Sequence, residues 1–332
     1  MEVMRQMEKR TMGLLISHKN NEKRRAILPE QVAGLRNPDM LYFETGYGES
    51  VGVSDEAYLQ AGAHVVSRAE AMQCDIVADV KLGDADYLDQ LDDGKILFGW
   101  AHAAQGIDFT SKCLEKKFTV IAWEEIFEDG RYIFYRNREV AGEAAILHAF
   151  CNYGKMPYDC KVAIIGNGQT AKGAMRILHG LGATVDVYGR RLEKLFQKNL
   201  GDYDVIVNCV MWDITREDHL IAREDLQRMN PNSLIIDVSC DPHLGIETSH
   251  ATTISDPVYD IDGVRHYSVD NTPAMFPFTI TKVLSEGNAR IFDDVIEGNL
   301  TPALVAATVI QAGHIQDESI RKFREARGLF CK

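Results

Sequence analysis

"KVAIIGNGQTAKGAMRIL", residues 161–178, decides how the second half of this 332-residue chain folds. Four apolar residues, Val162–Ile165, run straight into Gly166-Asn167-Gly168-Gln169-Thr170-Ala171, and a helical pattern follows. Strand, G-x-G-x-x-A turn and helix in that order form the fingerprint of a dinucleotide-binding unit. Gly166 permits the tight turn. Gly168 lets the backbone approach a pyrophosphate, and Ala171 lets helix and strand pack closely. The first N–H groups of the helix and its partial positive charge then face the phosphates. The turn alone would be a weak signal, because a simple βα connection can carry the same letters. The strand before it, the helix after it and a second strand about 20 residues on give it weight.

That second strand is Thr184–Tyr188, in "TVDVYGRRLEKL", residues 184–195. Its end marks the place of the adenosine ribose. A carboxylate there accepts a hydrogen bond from a free 2′-hydroxyl and repels a 2′-phosphate. This chain has Gly189 at the corner, followed by Arg190 and Arg191. Guanidinium groups match a phosphate dianion in charge and in their forked geometry. NADP(H) is therefore expected over NAD(H). The competing reading is a solvated helix start in which Glu193 pairs with the arginines.

The rest of the chain fits a two-domain α/β protein. "MGLLIS", "LYFETGYGES", "CDIVADVK", "GKILFGWAH" and "FTVIAWEEI" read as short buried strands, interleaved with helical segments, and Pro29 opens a helix to about Leu35. Residues 1–11 read as a loose extension. "REVAGEAAILHAFCNYGKM" reads as a long linker helix. After it, "DYDVIVNCV", "NSLIIDVSC" and "HYSVDN" continue the second alternation. The stretch from Thr279 to about Leu329 has helical spacing and is expected to return to the first domain. The expected division is residues 1–137 plus 280–332 as a discontinuous substrate domain, and 138–279 as the cofactor domain.

Charge and composition exclude several classes. The formal net charge is −13, with 45% apolar and 26% charged residues. An acidic chain lacks the basic footprint that nucleic acid or an anionic membrane would require. The apolar runs fall short of a membrane span, and the charged N-terminus has no signal-peptide core. A cytoplasmic location is expected. The seven cysteines are scattered with no C-x-x-C pair, so free thiols and no metal site are expected.

Four basic side chains stand at the ends of expected elements in the first domain: Arg24 and Arg25, Lys81 after "DIVADV", and His102 after "ILFGWA". Carboxyl ends of parallel strands line the crevice of an open α/β sheet. Taken singly, a strand-end lysine is usually solvated and a lone histidine usually a satisfied core group.

The segments "KNNEKRRAILPEQV", "YGESVGVSDEAYLQAGAHVV", "DVK", "ILFGWAH" and "EVAG" come in the order and spacing of a known superfamily. It comprises the alanine dehydrogenases and transhydrogenase α-subunits, with the lysine-forming saccharopine dehydrogenase. The likeness continues through "IIGNGQTAKGA", "IIDVSCD" and "VDNTPA", over roughly residues 12–285. Within the group, "YGRRLEKLFQKNLGDYDVIVN", "LIIDVSCDPHLGIETSHATTI" and "DNTPAMFP" resemble the carboxyethylornithine synthase branch. The resemblance implies two Rossmann-like, doubly wound parallel-sheet domains, joined by long helices with a cleft between them, and assembly as a homo-oligomer, dimer or tetramer. It implies that Arg24 grips a substrate carboxylate, with Arg25 as second choice. Lys81, His102 and Asp241 become catalytic candidates, and Asn271 a neighbour of the cofactor. The implied reaction is reductive condensation of pyruvate with the side-chain amine of ornithine or lysine, driven by NADPH. Alternatives are an NAD-dependent alanine dehydrogenase, a related opine- or saccharopine-type dehydrogenase, and a non-catalytic nicotinamide-binding subunit. An alanine dehydrogenase carries an acidic residue where this chain has Gly189. A binding subunit would need no Arg24, Lys81 and His102. "AHAAQG", "SCDPHLG" and "VDNTPAMFPF" depart from the synthase pattern, which touches substrate identity more than reaction type.

Overall fold

The computed structural model describes residues 9–213, 216, 218–241 and 243–331. Of the expected N-terminal extension, residues 1–8 lie outside the described residues. The chain forms two compact units, Met1–Phe134 with Pro277–Lys332, and Tyr135–Phe276.

The first unit opens with β1 (Met12–Leu14), followed by α1 (Pro29–Val32) and β2 (Leu41–Glu44). Then come α2 (Asp55–Gln60), β3 (His64–Val66), α3 (Arg68–Ala71) and β4 (Ile76–Asp79). β5 (Ile96–Gly99), α4 (Ile107–Glu115) and β6 (Thr119–Ala122) complete the alternation. β7 (Phe127–Glu128) and β8 (Arg131–Tyr132) make a small separate hairpin. β1 and β4 are buried along their whole length. That is why they read as unbroken apolar runs: a parallel sheet covered on both faces has no solvent side to alternate with. α1 starts at Pro29, where the missing N–H costs nothing, with Glu30 in the first turn. It stops at Val32, short of the expected Leu35.

The second unit begins with α5 (Tyr135–Cys151), β9 (Lys161–Ile165), α6 (Gln169–Gly180) and β10 (Thr184–Tyr188). It continues with α7 (Glu193–Lys198), β11 (Val205–Asn208), β12 (Leu234–Asp237), β13 (Val258–Ile261) and β14 (Val264–Tyr267). α5 is more than a linker. Its Ala145, Ile146, Ala149 and Phe150 share a core with Val162 and Ile164 of β9 and Ala171, Ala174 and Leu178 of α6. The two helices touch backbone to backbone. A Cβ on Gly173 would lie 1.8 Å from the Glu139 carbonyl oxygen, and one on Gly142 would lie 2.0 Å from that of Thr170.

The chain then returns to the first unit through α8 (Pro277–Asn288), α9 (Phe292–Glu297) and α10 (Pro302–Ala306). β15 (Thr308–Gln311), β16 (His314–Ile315) and α11 (Glu318–Glu325) follow. Helical spacing throughout this stretch was the expectation, and the structure corrects it. β15 pairs antiparallel with β6, and β16 with β15. The hairpin turns at Ala312 and Gly313, whose φ values are 48° and 78°. Two consecutive positive φ values suit the twist of a tight hairpin. Pairing with a strand nearly 190 residues upstream outweighs local spacing here. A second correction concerns "HYSVDN". The strand there is β14, which starts earlier and pairs antiparallel with β13 across an Asp262-Gly263 turn.

The sheets run β16-β15-β6-β5-β4-β1-β2-β3 and β10-β9-β11-β12-β14-β13. Within these two sheets all pairs are parallel except β6–β15, β15–β16 and β13–β14. Both are doubly wound, parallel-rich α/β sheets, as the sequence indicated. Among the described residues no helix is long and apolar enough to cross a membrane.

Candidate functional site

In the first sheet the strand order reverses between β1 and β4. At such a switch point the loops after the two strands diverge to opposite faces and leave a crevice. The loop after β1 carries Arg24 and Arg25. Lys81 stands two residues beyond β4, and His102 three residues beyond β5. The fold therefore gathers all four at the carboxyl ends of adjacent strands.

Arg24 is buried and forms a two-point ion pair with Glu22: Nε lies 2.8 Å from Oε1, and Nη2 is paired with Oε2. Its guanidinium lies 4.8 Å from the Trp100 ring centre, over the ring face. Arg25 is bound differently. Its Nε donates to the Tyr47 carbonyl and its Nη1 to the Arg24 carbonyl, so its fork serves the main chain. Lys81 is 6% exposed, with Nζ 3.7 Å from Asp84. Its backbone N–H donates to Asp79, at 2.8 Å. Asp79 also accepts from the Tyr87 hydroxyl. Burial pushes the Asp79 carboxyl up to about 6, against the hydrogen bonds from Lys81 and Tyr87 that favour the anion.

His102 is exposed and has a φ of 45°, unusual for a residue with a Cβ. Glu124 holds it there: its carboxylate accepts from the backbone N–H of His102 at 2.6 Å and of Ala101 at 3.2 Å. Burial raises the Glu124 pKa. Sequence reasoning missed Glu22, Asp79, Tyr87 and Glu124. Glu22 was within reach, since "NNEKR" puts an acid two residues before the arginine. Glu124 has no local signal; it meets His102 only because β5 and β6 are neighbours.

In the second unit, Gly166 follows β9 with a φ of 113°, which only glycine adopts readily. A Cβ there would also press on Cys209, 3.1 Å from its carbonyl oxygen. Gly168 and Gly189 differ. Their φ values are −84° and −80°, and a Cβ on either would meet nothing within 4 Å. Neither strain nor packing inside the chain calls for glycine at these two places. Open space there suits a bound dinucleotide. Gly168 caps α6 without a side-chain hydrogen bond, and Ala171 is fully buried. The N–H groups of Gln169, Thr170 and Ala171 thus lie in a helix's first turn, where no intrahelical carbonyl reaches them.

Arg190 and Arg191 are exposed just past β10. Neither guanidinium has a hydrogen bond or ion pair among the described residues. Glu193, the partner considered for them, is taken instead by Arg216, at 2.7 and 3.1 Å. Asp241 follows β12. Burial, then the neighbouring Asp237, push its carboxyl up to about 6. Asp237 is buried and accepts from Asn208 Nδ2, Ser239 Oγ and Ser249 Oγ. Asn271 has a φ of 63° and opens the short turn Thr272–Met275, which Thr272 ties to the α5 carbonyl of Ala141 at 3.0 Å.

Two family models match the chain: alanine dehydrogenase/PNT, N-terminal domain, over residues 14–133, and alanine dehydrogenase/PNT, C-terminal domain, over residues 189–320. The N(5)-(carboxyethyl)ornithine synthase of Clostridium botulinum is 31% identical over 296 residues, 84% of this chain and 92% of that protein. The chain belongs to the alanine dehydrogenase/PNT family. It is an oxidoreductase of that family, whose members depend on nicotinamide cofactors and act on small molecules. The N(5)-(carboxyethyl)ornithine synthase of Lactococcus lactis subsp. lactis (strain IL1403) is 29% identical, over 83% of this chain and 93% of that one. Alanine dehydrogenase 1 of Staphylococcus aureus (strain NCTC 8325) is 26% identical, covering 89% and 90%. A solved L-alanine dehydrogenase shares the fold with a TM-score of 0.78 at 22% identity, covering 96% of this chain and 99% of that one. A transhydrogenase from Sinorhizobium meliloti does so with a TM-score of 0.74 at 19% identity, covering 92% and 99%.

Proposed function

We propose that this family member catalyses the NADPH-dependent reductive condensation of pyruvate with the side-chain amine of ornithine or lysine, giving an N-(1-carboxyethyl) amino acid. The first unit serves as substrate domain and the second holds NADP(H). The observation that carries the cofactor reading is the ribose corner. Gly189 leaves room, Arg190 and Arg191 have no hydrogen-bond or ion-pair partner among the described residues, and Glu193, three residues after Arg190, is engaged by Arg216. The substrates come by analogy with the carboxyethylornithine synthases among the relatives.

The chemistry assigns each residue a task. Arg24 binds the pyruvate carboxylate through its fork. Arg25 is the weaker candidate, because its donors serve main-chain carbonyls. Lys81, a buried cation, polarises the keto oxygen as the amine adds to the carbonyl carbon. His102 exchanges protons as the resulting carbinolamine loses water. Asp241 holds or releases a proton near neutral pH. Gln169, Thr170 and Ala171 bind the pyrophosphate through their N–H groups, with Asn167 in the turn and Asn271 beside the nicotinamide half. NADPH, when bound, supplies the hydride that reduces the imine. We propose a homo-oligomer, dimer or tetramer, as the working assembly.

The test is cofactor oxidation with pyruvate and, separately, ammonia, alanine, ornithine and lysine. The expected outcome is NADPH oxidation with ornithine or lysine. Turnover only with NADH and ammonia would make the protein an alanine dehydrogenase. Replacing both arginines (Arg190→Ala with Arg191→Ala) should raise the NADPH Michaelis constant about tenfold or more, as expected for losing charge-assisted bonds to phosphate, and spare NADH.

A further inference from the structure

Arg216 sits in the loop after β11 and is held from three sides. Its Nη2 and Nη1 grip both oxygens of Glu193, at 2.7 and 3.1 Å. Its Nε and Nη2 bind Asp218 at 2.7 and 2.6 Å. Its guanidinium centre lies 4.0 Å from the Trp212 ring centre. Trp212 is itself buried, donates its indole N–H to the Asp218 carbonyl at 3.2 Å, and packs beside Gly245. Arg216 is thereby fixed in plane and direction without touching Arg190 or Arg191.

Glu193 matters because of where it lies in the chain. It is three residues after Arg190: Arg190 opens the short 3-10 turn Arg190–Leu192, and Glu193 opens α7 directly after it. At that spacing an acid and an arginine are neighbours and pair readily. A released Glu193 would swing back to Arg190 and compete with any phosphate arriving there. We propose that Arg216 is a specificity-determining positioning residue: by holding the Glu193 carboxylate it keeps the Arg190–Arg191 pair open for the 2′-phosphate of NADP(H). The inference rests on the NADP(H) reading above. It adds that the preference is set by a clamp outside the phosphate site as well as by the arginines.

Equilibrium binding to the full-length protein tests it without turnover, using NADPH and NADH followed by nicotinamide fluorescence, and adenosine 2′,5′-bisphosphate against AMP by calorimetry. Arg216→Gln should weaken NADPH and adenosine 2′,5′-bisphosphate about three- to tenfold, the scale of one partly screened ion pair, and leave NADH and AMP within about twofold. Adding Glu193→Gln should restore NADPH to within about twofold of the original protein. Glu193→Gln alone should keep or tighten NADPH binding. Loss of NADPH and NADH affinity together would assign Arg216 a purely structural role and overturn the clamp. Failure of the double variant to recover would mean that Arg216 touches the phosphate itself, which also overturns it. An original protein that binds NADH as tightly as NADPH would refute the NADP(H) reading, and the clamp with it. A preference for NADPH without rescue would refute the clamp alone.

Discussion

Replacing Asp79 by Asn should stabilise the first unit at neutral pH, and the gain should vanish in acid. Asp79 is 1% exposed, and burial raises its carboxyl from 3.8 to about 6. A group whose pKa is higher in the folded state holds its proton more tightly there. The folded protein is therefore favoured below the unfolded pKa, and that advantage is lost as pH rises through the folded one. Above pH 7 the buried anion costs about 3 kcal/mol, from roughly two pKa units at about 1.4 kcal/mol each. Asn is nearly isosteric. Its amide oxygen can accept the Lys81 N–H now bound at 2.8 Å, and the Tyr87 hydroxyl can turn to accept from the amide nitrogen. Some of the 3 kcal/mol is lost in that exchange, so about 1–2 kcal/mol should be measured at pH 7.5. Urea unfolding followed by tryptophan fluorescence reads this directly, since Trp100 and Trp123 lie in the first unit. The difference between the two proteins should shrink steadily between pH 7 and pH 4. A difference that is constant with pH, or a variant destabilised throughout, would refute the reading of a carboxylate whose burial outweighs its hydrogen bonds.

His102→Ala should lower kcat about a hundredfold or more, the usual worth of a proton-transferring group, while NADPH binding followed by fluorescence survives. Full activity would remove His102 from the mechanism. Gly173→Ala places a Cβ 1.8 Å from the Glu139 carbonyl oxygen and should destabilise the second unit by about 2 kcal/mol or more, although alanine is the better helix former. Thermal unfolding of the variant at an unchanged or higher midpoint would show that α5 and α6 can separate at little cost.

The fold was legible where local letters carry the geometry. Gly166 needs its left-handed turn, Pro29 starts a helix, and buried parallel strands announce themselves as short apolar runs. The placement of the candidate residues was legible for the same reason, since Lys81 and His102 follow β4 and β5 and Arg24 and Arg25 lie in the loop after β1, whereas the roles proposed for them come from the family resemblance. What stayed hidden depends on pairings across sequence. β15 and β16 share an apolar stretch with α10 that has no period of two, and β6 decides their conformation. The Asp262-Gly263 turn is the one local letter pair that marks the β13–β14 hairpin. Glu124 reaches the His102 backbone across two strands, and Arg216 reaches Glu193 across 23 residues of chain. Reading Glu193 from its neighbours alone pairs it with the arginines, where the structure gives it to another partner.

The interrupted first unit sets an order of assembly during synthesis. Residues 135–276 can complete their sheet before the C-terminal segment exists. The arginine loop cannot. Its backbone is fastened by Thr281 to Arg25, by Ser285 to Leu28 and by Asn288 to Ala26, all from α8. Until β15 emerges, β6 also keeps an unpaired edge. A nascent or truncated chain thus carries a finished second unit beside an open-edged first one. Residues 277–332 act as a latch, and the Arg24 loop takes its final shape only once α8 has been made.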